Sequence, residues 1–226
     1  MKHIIITADH TTDRCQRAIE STNREAHIKV YDPSKPWPLR GFTKMVNEIL
    51  QAYPGEPICI CNDDVQFENF GLWNKRAEIA MKYHNAGMVC PVQADSKNPH
   101  SIIMGGTIEA YPGGVHRMGT REMHCADRYD RAKWLPFCVA AFNPDAIAAA
   151  GLLDEQMVMW FSDSDWCIRC RLAGFEVLLD RGSVILHDNH ATVGQIQRNT
   201  PNAVRFTADQ EAFRRKWSGD QFADMN

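Results

Sequence analysis

Between residues 3 and 92, short apolar runs alternate with amphipathic stretches, a rhythm that limits the chain to a sheet covered by helices on both faces. "HIIIT" (3–7) reads as a strand and "TDRCQRAIEST" (12–22) as a helix opened by a Thr or Asp cap. "HIKVYD" is a second strand ending at Asp32. In "GFTKMVNEIL", Phe42, Met45, Val46, Ile49 and Leu50 repeat at helical spacing and give a helix with one inner face. "PICIC" supplies a third strand, residues 69–83 a helix and "AGMVCPV" a fourth strand. Strands separated by helices of this length predict a mainly parallel central sheet with right-handed crossovers.

The pattern changes after Val92. "SIIMGGTIEAYPGGVHRMG" is punctuated by glycine and suits extended chain and loop, and "WLPFCVAAFNP" is another apolar run. "PDAIAAAG" is a short helix closed by Gly151, and "FEVLLDRGSVILHD" reads as two short strands joined at Arg181 and Gly182. With no repeat or linker, the 226 residues are expected to form one α/β domain: a nucleotide-type half (1–92) and a smaller mixed half (93–226). A hydrophobic content of 44% supports a full core, and a net charge of −3 excludes a surface built wholly for nucleic acid. The start "MKHIIITADH" lacks a signal-peptide pattern, so the eight cysteines are expected to be reduced and the chain cytoplasmic. Cys167 and Cys170 have C-x-x-C spacing within a helical pattern and are read as core-facing. No apolar run approaches the ~20 residues that span a bilayer.

Against this background "ICICNDDVQFENF" (58–70) stands out, because a buried strand ends in two aspartates, Asp63 and Asp64. Aspartate favours turns, which is one explanation. The other is a cation site, since hard divalent ions sit between carboxylates and a ligand's phosphates. Ligands of open α/β sheets bind beyond the carboxyl ends of strands, where Asp32, Asp63 and Asp64 would share one edge. A second acidic cluster lies in "GLLDEQMVMWFSDSDWCIRCRLAGF" (151–175). Ser162 as a cap, Asp163 at a helix dipole and Asp165 paired with Arg169 explain its spacing; equally, one aspartate could be a general base at a pocket rim. "MVMWF" is either an apolar wall or core, and His187 in "VILHDNH" is a strand-end residue that could ligate a metal.

The order of these features resembles the family 2 glycosyltransferases of the GT-A fold, in particular their rhamnosyltransferase-like branch. The resemblance rests on "IITADHTTDRC", "VYDPS", "RGFTKMVN" and "CICNDDVQF". It is strongest in "GLLDEQMVMWFSDSDWCIRCRLAGFEVLLDRGSVILHD". "GGTIEAYPGGVHRMG" is similar to the family's glycine-rich acceptor-side segment. The resemblance implies that Thr7, Asp32, Arg40, Asn62 and Asp63 contact a nucleotide-diphosphate sugar and that Asp64 and His187 hold Mn2+ or Mg2+. It further implies that Asp163 is the catalytic base, with Trp160, Ser162 and Asp165 on the acceptor side. Two positions depart from the family pattern: Ser162 replaces a glutamate and Asn62 the first carboxylate of the D-x-D triplet. "QIQR" (195–198) is similar to the Q-x-x-R-W of processive synthases, but Asn199 stands where tryptophan belongs.

These features imply an inverting transfer to the hydroxyl of a saccharide, a lipid-linked glycan, a protein or a hydroxymethylated base in DNA. The basic segment with Arg214, Arg215 and Lys216 is the feature that favours DNA. A nucleotidyltransferase is disfavoured, because "TADHTTDR" after the first strand has no glycine to cradle phosphate. A nucleotide- or nucleic-acid-binding module with degenerate catalysis is the alternative from another class.

Overall fold

The computed structural model describes residues 1–30, 41–106, 117–188 and 200–218. Asp32, Arg40, His190, the "QIQR" segment and most of "GGTIEAYPGGVHRMG" lie outside them. The alternation seen in the sequence is present in the first half. Strand β1 (Lys2–Thr7) is followed by helix α1 (Asp13–Ser21), β2 (His27–Val30), α2 (Phe42–Ala52), β3 (Ile58–Asn62), a short β4 (Val65–Phe67), α3 (Phe70–Tyr83) and β5 (Ala86–Asp95). The second half adds β6 (Ser101–Met104), β7 (Gly119–Thr120), α4 (Arg121–His124), β8 (Tyr129–Arg131), β9 (Val139–Phe142) and α5 (Pro144–Ala150). It closes with α6 (Ser162–Leu172), β10 (Glu176–His187) and α7 (Thr200–Lys216).

The main sheet runs β2-β1-β3-β9-β5-β10-β4. Strands β2, β1, β3, β5 and β10 point one way; β9 lies antiparallel between β3 and β5, and β4 antiparallel on β10. The sheet is therefore mixed in its pairing while most of its strands share one direction. Its apolar runs are continuous because both faces are covered. Ile4, Ile6, Ile58 and Ile60 pack towards α2, α5 and α6, and Ile5, Cys59 and Cys61 towards α1 and α3. All eight cysteines are free thiols, and Cys167 and Cys170 are core residues as expected.

β1 pairs with β2 on one side and β3 on the other, so the chain reverses its direction of winding at β1. The crevice beyond the carboxyl ends of β1 and β3 is the kind of switch point at which α/β sheets bind ligands. Thr12 caps α1 by accepting from the Cys15 amide, and Asn69 caps α3 by accepting from the Leu72 amide.

The reading of residues 175–188 as two strands is corrected: β10 is one strand that continues past Arg181 and Gly182, with a register irregularity against β5 between Asp180 and Val184. Glycine is needed at 182 for close approach rather than for a turn. A Cβ there would lie 2.5 Å from Cζ of Arg76, whose Nε donates to buried Asp180 at 2.7 Å.

Candidate active site

The aspartates that end β3 are both buried, and each is engaged differently. Asp63 Oδ2 accepts from Thr7 Oγ1 at the end of β1 (2.6 Å) and from Arg14 of α1 (3.0 Å). Asp63 therefore ties two strand ends and a helix together. Asn62 is held through its backbone amide, which donates to Cys138 O at 2.8 Å.

Asp64 faces His187 at the end of β10, with Oδ1 3.4 Å from Nε2. His187 Nδ1 lies 3.0 Å from Gln93 Oε1, which can only accept, so Nδ1 carries the proton and the Nε2 lone pair is left towards Asp64. Asp64 Oδ1 is buried without a hydrogen-bond partner. Two acceptors opposed in a buried site call for a cation between them, either a proton on the imidazole or a metal ion. A carboxylate and an imidazole fit a divalent ion of the Mn2+ type, which keeps further positions for phosphate oxygens and water.

Gln93 connects this pair to the second acidic cluster. Its Nε2 lies 2.7 Å from Cys138 Sγ, and that thiol is within electrostatic reach of both Asp64 and Asp163. Burial pushes the Cys138 thiol up to about 12 and keeps it neutral. Asp163 retains some exposed surface but is surrounded by protein on most sides. Burial raises its carboxyl to about 6, against the opposing hydrogen bond from the Ser164 amide (2.7 Å). A carboxylate with that affinity for a proton has the properties of a general base at neutral pH.

Asp163 stands in the first turn of α6, and the loop that leads into this helix is fixed from two sides. From α2, Asn47 Nδ2 donates to Leu153 O and its Oδ1 accepts from the Leu153 amide, both at 2.9 Å; Thr43 Oγ1 donates to Met157 O. From α7, the fully buried Asp209 accepts from the amides of Val158 (3.1 Å), Met159 (2.9 Å) and Trp160 (3.0 Å). The reading of Ser162 as a cap is corrected here. Phe161 is the N-cap of α6, in a left-handed conformation with φ +66°, and Ser162 lies buried in the first turn. That strained backbone is held by ring contacts of Phe161 with Phe206 and Phe213 of α7.

The acceptor-side expectations divide. Trp160 stands edge-on to Phe206 with ring centres 5.6 Å apart and remains partly exposed. Asp165 is fully buried and consumed by partners, Arg169 Nε (2.9 Å), Trp217 Nε1 (2.9 Å) and Lys216 Nζ (2.8 Å). Its geometry is that of a packing anchor. Lys216 also pairs with Asp154, which offsets its charge, and Arg214, Arg215 and Lys216 are all exposed.

Several residues of this site escaped sequence reasoning. Arg14 and Arg17 sit three apart on α1; Arg14 reaches Asp63, and Arg17 reaches Asp188 at 3.6 Å. Their helical spacing after the first strand was a usable signal. Gln93, Cys138 and Asp209 carried none, because their partners are 45 to 94 residues away.

The architecture matches that of GT-A glycosyltransferase structures. The chain is similar to GalNAc-T7 determined with UDP, GalNAc and Mn2+ (TM-score 0.58, 11% identity, 83% of this chain and 43% of that one). It is likewise similar to the mannosyltransferase PcManGT from Pyrobaculum calidifontis in complex with GDP-Man and Mn2+ (TM-score 0.57, 11% identity, 94% and 64%). A197 from STIV shares the fold at TM-score 0.50 and 6% identity over 83% of this chain and 85% of that one. The chain thus spans less than two thirds of the length of the two glycosyltransferases. No family model and no curated protein matches its sequence. None of the helices among the described residues is long and apolar enough to cross a membrane.

Proposed function

We propose that this chain is an inverting, metal-dependent glycosyltransferase related to the family 2 enzymes, moving a sugar from a nucleotide-diphosphate donor to an acceptor hydroxyl. The observation that carries the reading is the buried, unsatisfied Asp64 Oδ1 opposite the His187 imidazole, at the strand-end rim of a GT-A fold. Asp64 and His187 would hold the divalent ion, which when bound offsets the negative charge of the leaving diphosphate. Arg14, part of whose guanidinium is buried without a partner at Nε, faces the same edge and adds positive charge for phosphate oxygens. Asp163 accepts the proton of the acceptor hydroxyl as that oxygen attacks the anomeric carbon and the bond to the diphosphate breaks. A single displacement of this kind inverts the anomeric centre. Trp160 and Phe206 offer an apolar surface on the acceptor side.

The test is a thermal-shift series with UDP, GDP, CDP, ADP and dTDP, with and without Mn2+, on the wild type and on Asp64→Ala. One nucleotide is expected to raise Tm only with Mn2+, and the variant to lose that shift. Stabilisation by a nucleotide without metal, equal in both proteins, would instead indicate a binding module.

A further inference from the structure

A second cluster of ligating side chains lies away from the acidic rim, under α3. His3 of β1 stands beside Cys59 of β3 in the sheet register, and Cys61 follows on the same face of β3. We propose that His3, Cys59 and Cys61 form a buried site for one thiophilic divalent cation of the zinc type.

The geometry comes first. One ligand atom from each residue lies within 4.8 Å of the others, so a central point exists within about 2.8 Å of all three. Zn–S bonds of ~2.3 Å and a Zn–N bond of ~2.0 Å then require shifts of only a few tenths of an ångström to somewhat under 1 Å. The two sulfurs are 3.7 Å apart, close to the edge of about 3.8 Å that two such bonds span at a tetrahedral angle.

The imidazole is set for ligation as well. His3 Nε2 lies 3.3 Å from Asn74 Oδ1, an acceptor, so Nε2 carries the proton and Nδ1 carries the lone pair. Nδ1 is buried without a hydrogen-bond partner. An amide that fixes the tautomer of a histidine whose other nitrogen faces two thiols is the arrangement that commonly supports metal-bound histidine.

Charge accounts for the choice of ion. Cys59 and Cys61 are fully buried among Phe70, Trp73 and Ala77, where a net charge is costly. Two thiolates, a neutral imidazole and a divalent cation sum to zero. Binding breaks two S–H bonds, releases two protons to solvent and forms two metal–sulfur bonds with no change of oxidation state. The ion would clip β1 to β3 beneath α3, and with no exposed ligand it would be taken up before α3 docks.

The experiment is elemental analysis of protein produced in zinc-supplemented medium and dialysed against chelator, for wild type, Asp64→Ala and a Cys59→Ser/Cys61→Ser double variant. The expected result is one zinc per chain in wild type and Asp64→Ala and none in the double variant. Protein produced with cobalt should show the near-ultraviolet thiolate-to-cobalt absorption. Wild type that carries no zinc and no such absorption overturns the proposal, whether or not the double variant folds. Metal that is lost with Asp64→Ala overturns it too, because it then belongs to the rim.

Discussion

The two acidic regions of this molecule are built by different means. At the rim, Thr7, Asp63, Asp64 and His187 stand at strand ends, and the register of β1, β3 and β10 places them. The loop that leads into α6, and so sets where Asp163 stands, has no register. Asp163 is aimed by side chains that reach across the fold to backbone groups, Asn47 from α2 and Asp209 from α7. A rim set by a sheet tolerates local changes, whereas a loop set by a few buried polar groups depends on each of them.

The largest expected effect is on the loop side. Asp163→Asn should lower kcat by ~10²–10⁴-fold, and wild-type activity should rise with pH through about 6 as the carboxylate forms. The same variant should be more stable than wild type at neutral pH. The unfolded carboxyl ionises near 3.8 and the folded one near 6, so between those values the folded state holds the extra proton and stability falls as pH rises. Above that window the cost is at most about 3 kcal/mol. Melting curves at pH 4 and 7.5 check the sign: a gain for Asp163→Asn at the lower pH alone would break the assignment.

Next is Asp209→Ala, which strands three part-buried amides and the Arg205 guanidinium. A loss of about 3–5 kcal/mol in denaturant melts is expected. If the fold survives, kcat should fall while nucleotide binding at the rim is kept. Equal loss of both would erase the contrast between the regions. The smallest effect is on the rim, where Gln93→Leu removes the acceptor that fixes the His187 tautomer. Mn2+ affinity should weaken by ~10–100-fold, measured by calorimetry, with Tm in the absence of metal little changed.

The same contrast explains what could be read from the sequence. Apolar runs and caps in the first half marked the strands and helices closely, and the helix-covered α/β sheet and the edge bearing Asp63 and Asp64 followed from them, while the GT-A architecture was what the family resemblance implied. Strand ends are legible because hydrophobic periodicity stops there. The clamp on the loop was not, since Asn47 and Leu153 are 106 positions apart and look ordinary in their own segments. β10 was misread because Arg-Gly is a turn signal locally, and only the Arg76 side chain packed against Gly182 gives that glycine its meaning. The pairing of Asp165 with Arg169 was legible from their spacing, whereas its contact with Trp217, 52 positions away, was not.

The reversed strand β9 also constrains the order in which this protein can be assembled. β3 and β5 share no hydrogen bonds with each other, and the strand between them is made of residues 139–142. During synthesis, the β2-β1-β3 sheet emerges first with an unpaired apolar edge along Ile58, Cys59 and Ile60, as does the facing edge of β5. The β3 edge, and the Met88–Val89 part of β5, are not closed until β9 follows, about 45 residues after β5, while the Gln93–Ala94 end of β5 pairs earlier with β6. A ribosome pause before residue 139 would leave both edges open together, which makes the stretch between β5 and β9 the interval in which this chain is most exposed to misassembly.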